Sequence, residues 1–334
     1  MRAWLLDDLN GVAALRLGEV PDPKPQAGEV VLRIHYAGLN PADRYLAERQ
    51  YPAKPPLPHI LGRDGMGTVI EVGPGVAGIA VGDRRIVLRG AVGVERAGTF
   101  AERVAVPVES LVEVPVHWDE PEAAGATLVY LTAHQALTMW GALPAASLVL
   151  VTGASGGVGV ASVQIATAMG FTVVALSRSE VKREHLRQLG ASLCFDPTLP
   201  GWCATLKKAL APRCVDLAID NIGGTLLPEV IDTLGDAGRV SLVGRLAGPV
   251  PSFNTAALFF RRIRMGGVAV SANTNAESRA GWQEVLSLLA RTSARPLVDS
   301  VLPFDQLPQA FARLAAGPMG KVIIECAPGT ASHG

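Results

Sequence analysis

Ser147–Ser177, read as SLVLVTGASGGVGVASVQIATAMGFTVVALS, limits the chain's folds more than any other stretch. Leu148–Thr152 is a short, valine-rich apolar run, the pattern of a strand buried on both faces. Gly153, Ala154, Ser155, Gly156, Gly157, Val158 and Gly159 then make a glycine-rich turn. A helix carrying Val160, Val163, Ile165, Ala166 and Met169 follows; Gly170 ends it, and Phe171–Leu176 reads as a second buried strand. Strand, glycine turn, helix and strand together form a dinucleotide-binding unit. Glycines admit a diphosphate close to the backbone, and the helix N-terminus offers that anion free N–H groups and a positive dipole end.

Two other readings of this stretch are weaker. No Asp, Glu, Lys or Arg lies between Glu122 and Arg178, as in a membrane span. Glycines and Pro144 interrupt the region, however, and a span needs about 20 consecutive apolar residues. Gly153-Ala-Ser155-Gly-Gly157 also fits the nucleophile turn G-x-S-x-G. That chemistry needs a later acid and histidine. The only later histidines are His185, in a charged segment, and His333, in the C-terminal tail.

The 334 residues suffice for two domains, and 49% hydrophobic against 18% charged residues suits a large buried core. Thirty basic and thirty acidic residues give no formal net charge, which argues against a nucleic-acid binder. No signal peptide is read in Met1-Arg2-Ala3-Trp4, so a cytoplasmic location is expected. Cys194, Cys203, Cys214 and Cys326 lack C-x-x-C spacing and predict neither disulfides nor a zinc knuckle.

Along the chain, Arg2–Asp7, Ala14–Val20, Glu29–Leu39, Gly65–Gly73, Val81–Leu88, Phe100–Val106 and Leu111–Val114 read as strands. Asn40 is a candidate cap for a short helix with Pro41 in its first turn. Helices are expected from Asp119 and over Leu131–Trp140. Strands near Val149, Val173, Leu193, Leu217, Val240 and Val268 alternate with helices, predicting a six-stranded doubly wound parallel sheet. Helix Glu277–Arg291, strand Leu297–Pro303, helix Gln306–Ala316 and strand Lys321–Cys326 follow, and these last pieces read as a return to the first domain. The expected division is 1–120 and 269–334 for a discontinuous, mostly β domain and 121–268 for the α/β domain, with 327–334 mobile.

This order of segments resembles the medium-chain dehydrogenase/reductase superfamily, and within it the zinc-free quinone oxidoreductase branch. The resemblance rests on Ala37-Gly-Leu-Asn40-Pro-Ala-Asp43, Tyr51-Pro, Leu61-Gly-Arg-Asp64-Gly-Met-Gly-Thr-Val, Val81-Gly-Asp83-Arg84, Thr99–Pro107, Leu131-Thr132-Ala133, the glycine turn, Asp220-Asn-Ile-Gly-Gly, Val240–Gly244 and Gly320-Lys321-Val-Ile-Ile. It implies a Rossmann sheet with a GroES-like catalytic domain. Zinc-dependent members place a cysteine at the position of Asn40, a histidine at that of Arg63, and four cysteines around Arg89–Gly98. Asn and an arginine that stays protonated cannot replace thiolate and imidazole, and His35, His59, His117 and His134 are scattered. No metal site is expected.

The second strand of the dinucleotide unit ends Ala175-Leu-Ser177-Arg178-Ser179, with no carboxylate for a ribose 2′-hydroxyl. Ser177, Arg178 and Lys182 suit a 2′-phosphate, so the expected cofactor is NADPH. The resemblance adds Thr132, Asn221, the turn Val243-Gly244-Arg245 and Lys321 as cofactor neighbours. It makes Tyr51 and Asn40 the candidate catalytic residues, a donor and an amide facing the oxygen of a quinone, enone or enal. Asp43, Arg63 and Asp64 are expected to form a structural ion pair. The alternatives are a zinc-dependent alcohol dehydrogenase and a non-catalytic dinucleotide- or RNA-binding relative, the latter hinted at only by Arg261-Arg262-Ile-Arg264. An apolar edge strand, Met265–Ser271, predicts a homodimer.

Overall fold

The computed structural model describes residues 1–88, 92–249 and 253–326. The tail 327–334 and part of the loop expected over 89–98 lie outside the described residues. The chain divides into two units, Met1–Leu128 with Asn273–Arg279 and Arg295–Gly334, and Val129–Ala272 with Ala280–Ala294. Residues 121–128, expected with the α/β domain, fall in the first unit, and residues 269–272 and 280–294, expected with the first domain, fall in the second.

The first unit begins with strands β1 (Arg2–Leu6), β2 (Leu15–Glu19) and β3 (Glu29–Gly38), and helix α1 (Pro41–Ala47). Next come β4 (His59–Ile60), β5 (Asp64–Val72), β6 (Arg84–Val87), β7 (Arg103–Pro107), β8 (Leu111–Glu113) and helix α2 (Glu120–Ala124). The strand expected over Val81–Leu88 starts only at Arg84. Gly82, at φ +96°, and Asp83, whose carboxylate accepts the Ala80 N–H at 3.1 Å, form a turn before it.

Helix α3 (Thr127–Thr138) precedes the alternating region. It contains β9 (Leu148–Val151), α4 (Gly157–Ala168), β10 (Thr172–Leu176), α5 (Glu180–Gln188), β11 (Leu193–Phe195), α6 (Trp202–Leu210) and β12 (Val215–Asp220). Helix α7 (Leu226–Thr233), β13 (Leu234–Leu242), α8 (Ala256–Phe260) and β14 (Arg264–Gly267) complete it. These strands form one parallel six-stranded sheet in the order β11-β10-β9-β12-β13-β14. Leu148–Val151 and Val173–Leu176 are almost fully buried, as a sheet covered on both faces requires. The edge strand stops at Gly267 rather than Ser271, because Val270–Ala272 tightens into a 3-10 turn.

After helix α9 (Asn275–Thr292) come β15 (Val298–Pro303), α10 (Leu307–Ala315) and β16 (Lys321–Glu325). Strand β16 pairs with β3, which also pairs with β5 and β7, so the C-terminal segment completes the first unit's larger sheet. Trp4 Nε1 donates to the Phe304 carbonyl at 2.8 Å, and Phe100 meets Phe311 edge-on at 6.0 Å, tying both ends of the chain into one core. One register consequence matters for function. Gly38 sits opposite Asp64 on β5 and opposite Ile323 on β16, so Asp64, in that row, and Asn40 and Lys321, two residues beyond it on their own segments, converge.

Candidate active site

In the second unit, the glycine turn is anchored beneath by a polar knot. Thr152 Oγ1 donates to Asp220 at 2.7 Å and accepts the Asn221 N–H at 2.9 Å, while Asn221 Nδ2 donates to the Thr152 carbonyl at 2.8 Å. Asp220 also accepts the N–H groups of Ile222 and Gly223 at 3.1 Å. Gly153 has φ +55°, and a Cβ there would lie 2.8 Å from Ile222. A Cβ on Gly159 would lie 2.3 Å from the Gly153 carbonyl, so the helix can start this close to the strand only with glycine. Helix α4 has an extended Gly156 at its cap and no side-chain cap, which leaves the first-turn N–H groups of Gly157, Val158 and Gly159 to an outside acceptor. Ser155, Gly156, Gly157 and Val158 are only half-buried.

The Val243 and Gly244 N–H groups donate to the Asp220 carbonyl at 2.9 and 3.2 Å, and the Arg245 backbone abuts Gly223. The structure thus gathers Gly153–Gly159, Asn221 and Val243–Arg245 at the C-terminal ends of β9, β12 and β13. In a doubly wound sheet, ligands bind where the strand order reverses, here at β9 between β10 and β12. Asn221 Oδ1 is buried there without a hydrogen-bond partner among the described residues. This orphaned acceptor and the glycine cradle fit a dinucleotide.

At the tip of β10, Ser177 is buried and Arg178 is exposed. The Ser179 hydroxyl caps α5 by accepting the Lys182 N–H. Arg183 is committed elsewhere, donating to the Ser177 carbonyl at 2.7 Å and pairing with Glu180 and Asp196. Glu180 stands in the first turn of α5, where its charge meets the helix dipole. Thr132 stands half-buried on α3.

In the first unit, Asn40, Asp64 and Lys321 form a closed ring. Lys321 Nζ donates to Asn40 Oδ1 at 2.7 Å and to Asp64 Oδ2 at 3.0 Å, and Asn40 Nδ2 donates to the same carboxylate oxygen at 2.9 Å. Thr127 Oγ1 and the Leu128 N–H reach Asp64 Oδ1 at 3.2 and 3.3 Å. Asn40, Asp64 and Lys321 are all buried. Lys321, expected beside the cofactor, thus has its ammonium engaged by Asn40 and Asp64.

Asp43 accepts the Asn40 backbone N–H at 2.9 Å, and its other oxygen lies 3.3 Å from Arg63 Nε. The expected ion pair is therefore two pairs, Asp43 with Arg63 and Asp64 with Lys321. Burial pushes the Asp43 carboxyl up to about 6, against the opposing pull of Arg63 and the Asn40 N–H. The Arg63 guanidinium lies 4.2 Å above the centre of the Tyr51 ring. Tyr51 is half-buried, and its hydroxyl has no partner among the described residues.

The histidines expected to be exposed or satisfied divide. His35 bonds Glu120 and Thr68, and His134 bonds Glu284, while buried His59 bonds the Gly93 backbone and leaves Nε2 without a partner among the described residues. Arg261, from the basic cluster, is partly structural, donating to the carbonyls of Ile231 and Leu234.

Residues 26–116 match the alcohol dehydrogenase GroES-like domain, and residues 157–291 match the zinc-binding dehydrogenase family. The quinone oxidoreductase of Lama guanicoe is 29% identical over 97% of each chain. A human synaptic vesicle membrane protein VAT-1 homolog is 29% identical over 98% of this chain and 87% of its own length. This chain belongs to the medium-chain dehydrogenase/reductase superfamily.

The dehydrogenase/reductase is quinone oxidoreductase-like, an oxidoreductase on a nicotinamide dinucleotide-binding fold. Among solved structures, an NAD-dependent alcohol dehydrogenase superposes with TM-score 0.91 at 28% identity, covering 98% of this chain and 100% of its own. A mycobacterial protein solved with NADPH superposes with TM-score 0.88 at 26% identity, covering 97% and 100%. Among the described residues, no helix of the dehydrogenase/reductase is long and apolar enough to cross a membrane.

The family description raises the fit of zinc. Among the described residues, no three His, Cys, Asp or Glu side chains gather in a metal-holding group. At the positions in question stand an amide and a guanidinium, and the cation beside Asn40 and Asp64 is the Lys321 ammonium. Zinc there would need thiolate or imidazole donors that these residues do not provide. The donor set does not fit the metal.

Proposed function

We propose that this protein reduces a quinone or an α,β-unsaturated carbonyl with NADPH and without a metal. The observation that carries this reading is the buried ring in which the Lys321 ammonium, hydrogen-bonded to Asn40 and Asp64, supplies the local positive charge. The similarity to quinone oxidoreductases supports the acceptor class, and the NADPH complex of a structural relative supports the cofactor.

NADPH, when bound, supplies the hydride. The N–H groups of Gly157, Val158 and Gly159, with Gly153, Ser155 and Gly156 shaping the turn, bind its diphosphate. Ser177, Arg178 and Lys182 take the 2′-phosphate, whose charge no carboxylate at the strand tip opposes. Asn221, Thr132 and the Val243-Gly244-Arg245 turn border the rest of the cofactor. Negative charge grows on the acceptor oxygen during reduction, and a donor held there lowers the barrier. Tyr51 is that donor, and Asn40 shapes the acceptor's surroundings through an amide whose orientation its two partners fix. The Tyr51 hydroxyl gives the proton that must follow, and water restores it.

Two further assignments go with this reading. Among the described residues, strand β14 pairs with β13 alone and lies at the sheet edge, which suits a homodimer in which a second copy adds its own edge. A cytoplasmic location also goes with the reading. Stopped-flow NADPH oxidation over quinones, enals and enoyl thioesters tests the function. Rapid oxidation with one class is expected; NADPH binding without turnover across the panel would favour a non-catalytic role.

A further inference from the structure

We propose that Arg63 positions Tyr51 and strengthens its phenol as a proton donor, with Asp43 holding the guanidinium in place. The inference rests on the reading of Tyr51 as the donor.

Tyr51 opens a segment, Tyr51-Pro-Ala-Lys-Pro-Pro-Leu-Pro, that runs between α1 and β4 without regular structure. No sheet ladder or helix sets the direction of its ring. Two things do: apolar contact with the first unit's core, and the Arg63 guanidinium 4.2 Å from the ring centre. That distance is well inside the range at which a cation is attracted to an aromatic face.

The guanidinium is itself fixed. Arg63 Nη2 donates to the Ala42 carbonyl at 3.1 Å, and Nε lies 3.3 Å from Asp43 without hydrogen-bond alignment. Both partners belong to the first turn of α1, whose start is set by the Asn40 N–H bond to Asp43. Two groups of α1 thus hold Arg63 beside the Tyr51 ring. Lysine would keep the charge but not the plane.

The chemistry follows from the charge. A cation against the ring stabilises phenolate more than phenol, so the hydroxyl shares its proton more readily with a developing oxyanion. Among the described residues, the charged or titratable groups that bear on the stack include Arg63, Asp43 from α1 and His59 from β4, with Asp64 and Lys321 acting on Asp43. His59 is kept on the neutral side first by burial and then by Arg63, so it adds no second cation. Asp43 opposes Arg63 in charge and lies 3.3 Å from its Nε.

The test is a double-mutant cycle read in kcat and KM. Turnover of NADPH with a naphthoquinone is measured in the wild type, R63K, R63M and Y51F, and in R63K and R63M combined with Y51F. R63M/D43N repeats the experiment without leaving a lone buried carboxylate. In both Arg63→Met backgrounds kcat should fall about tenfold with KM for NADPH within about twofold, and less in R63K, with little further loss on adding R63M to Y51F. Equal losses from R63M with and without Tyr51 would overturn the proposal. Full turnover by Y51F would sink the donor reading and the proposal with it.

Discussion

Lys321 and Asn40 are 281 residues apart in sequence, yet the Lys321 ammonium lies 2.7 Å from the Asn40 side-chain oxygen. That bond leaves the amide one orientation, because the ammonium has only donors to offer and Asp64 has only acceptors. It also explains why the C-terminal strand must return to the first unit: β16 delivers the cation that balances Asp64.

Removing that cation should be costly. K321M leaves Asp64 buried without its charge partner and should lower the unfolding free energy by about 3–5 kcal/mol. K321M/D64N should recover part of the loss, because the neutral pair no longer buries a lone charge. Urea unfolding of the three proteins checks this; equal losses in both variants would show that the ion pair is not what the lysine serves.

Asp43 should leave a signature in the pH dependence of stability. Burial raises its folded carboxyl to about 6, above its unfolded value, so the folded state binds the proton more tightly. Its contribution is therefore fully present below the unfolded value and is lost as pH rises toward 6. Relative to D43N, the wild type should gain stability as pH falls from about 6 to about 4. Unfolding curves for both proteins across that window check the sign.

The glycine turn should reject a single methyl group. G159A places a Cβ 2.3 Å from the Gly153 carbonyl and must push the start of α4 away from β9. NADPH affinity, followed by fluorescence titration, should fall about tenfold or more. G170A, where a Cβ meets nothing within 4 Å but φ is +79°, gives a control for strain without crowding at the turn.

Cofactor choice should reside at the tip of β10. R178E with K182A should weaken NADPH about tenfold or more and leave NADH within about twofold. Calorimetry with both nucleotides reads the ratio directly, and equal loss for both would remove the 2′-phosphate assignment.

Much of this was legible because it is local. The Gly153–Gly159 turn sits between two valine-rich runs, and the sixfold alternation of strands and helices predicts a parallel sheet. Asn40 before Pro41 marks a helix start, and α1 does begin at Pro41. The ring of Asn40, Asp64 and Lys321 was not legible, because its members meet only through the register of β3 with β5 and β16. Nor was the Arg63–Tyr51 stack: the proline-rich segment carries no periodicity from which a ring direction can be read. The edge strand ended early for a similar reason, since a 3-10 turn at Val270–Ala272 has the same apolar composition as a strand.

The central claim is hydride transfer from NADPH to an unsaturated acceptor with Lys321, not a metal, as the buried cation. Single-turnover NADPH oxidation by a naphthoquinone, recorded on protein whose zinc content is measured in the same sample, tests it most directly. The account predicts full-amplitude oxidation at zinc contents far below one ion per chain, unchanged by chelator. Oxidation whose amplitude follows the zinc content, or NADPH that binds and is never oxidised, would contradict it.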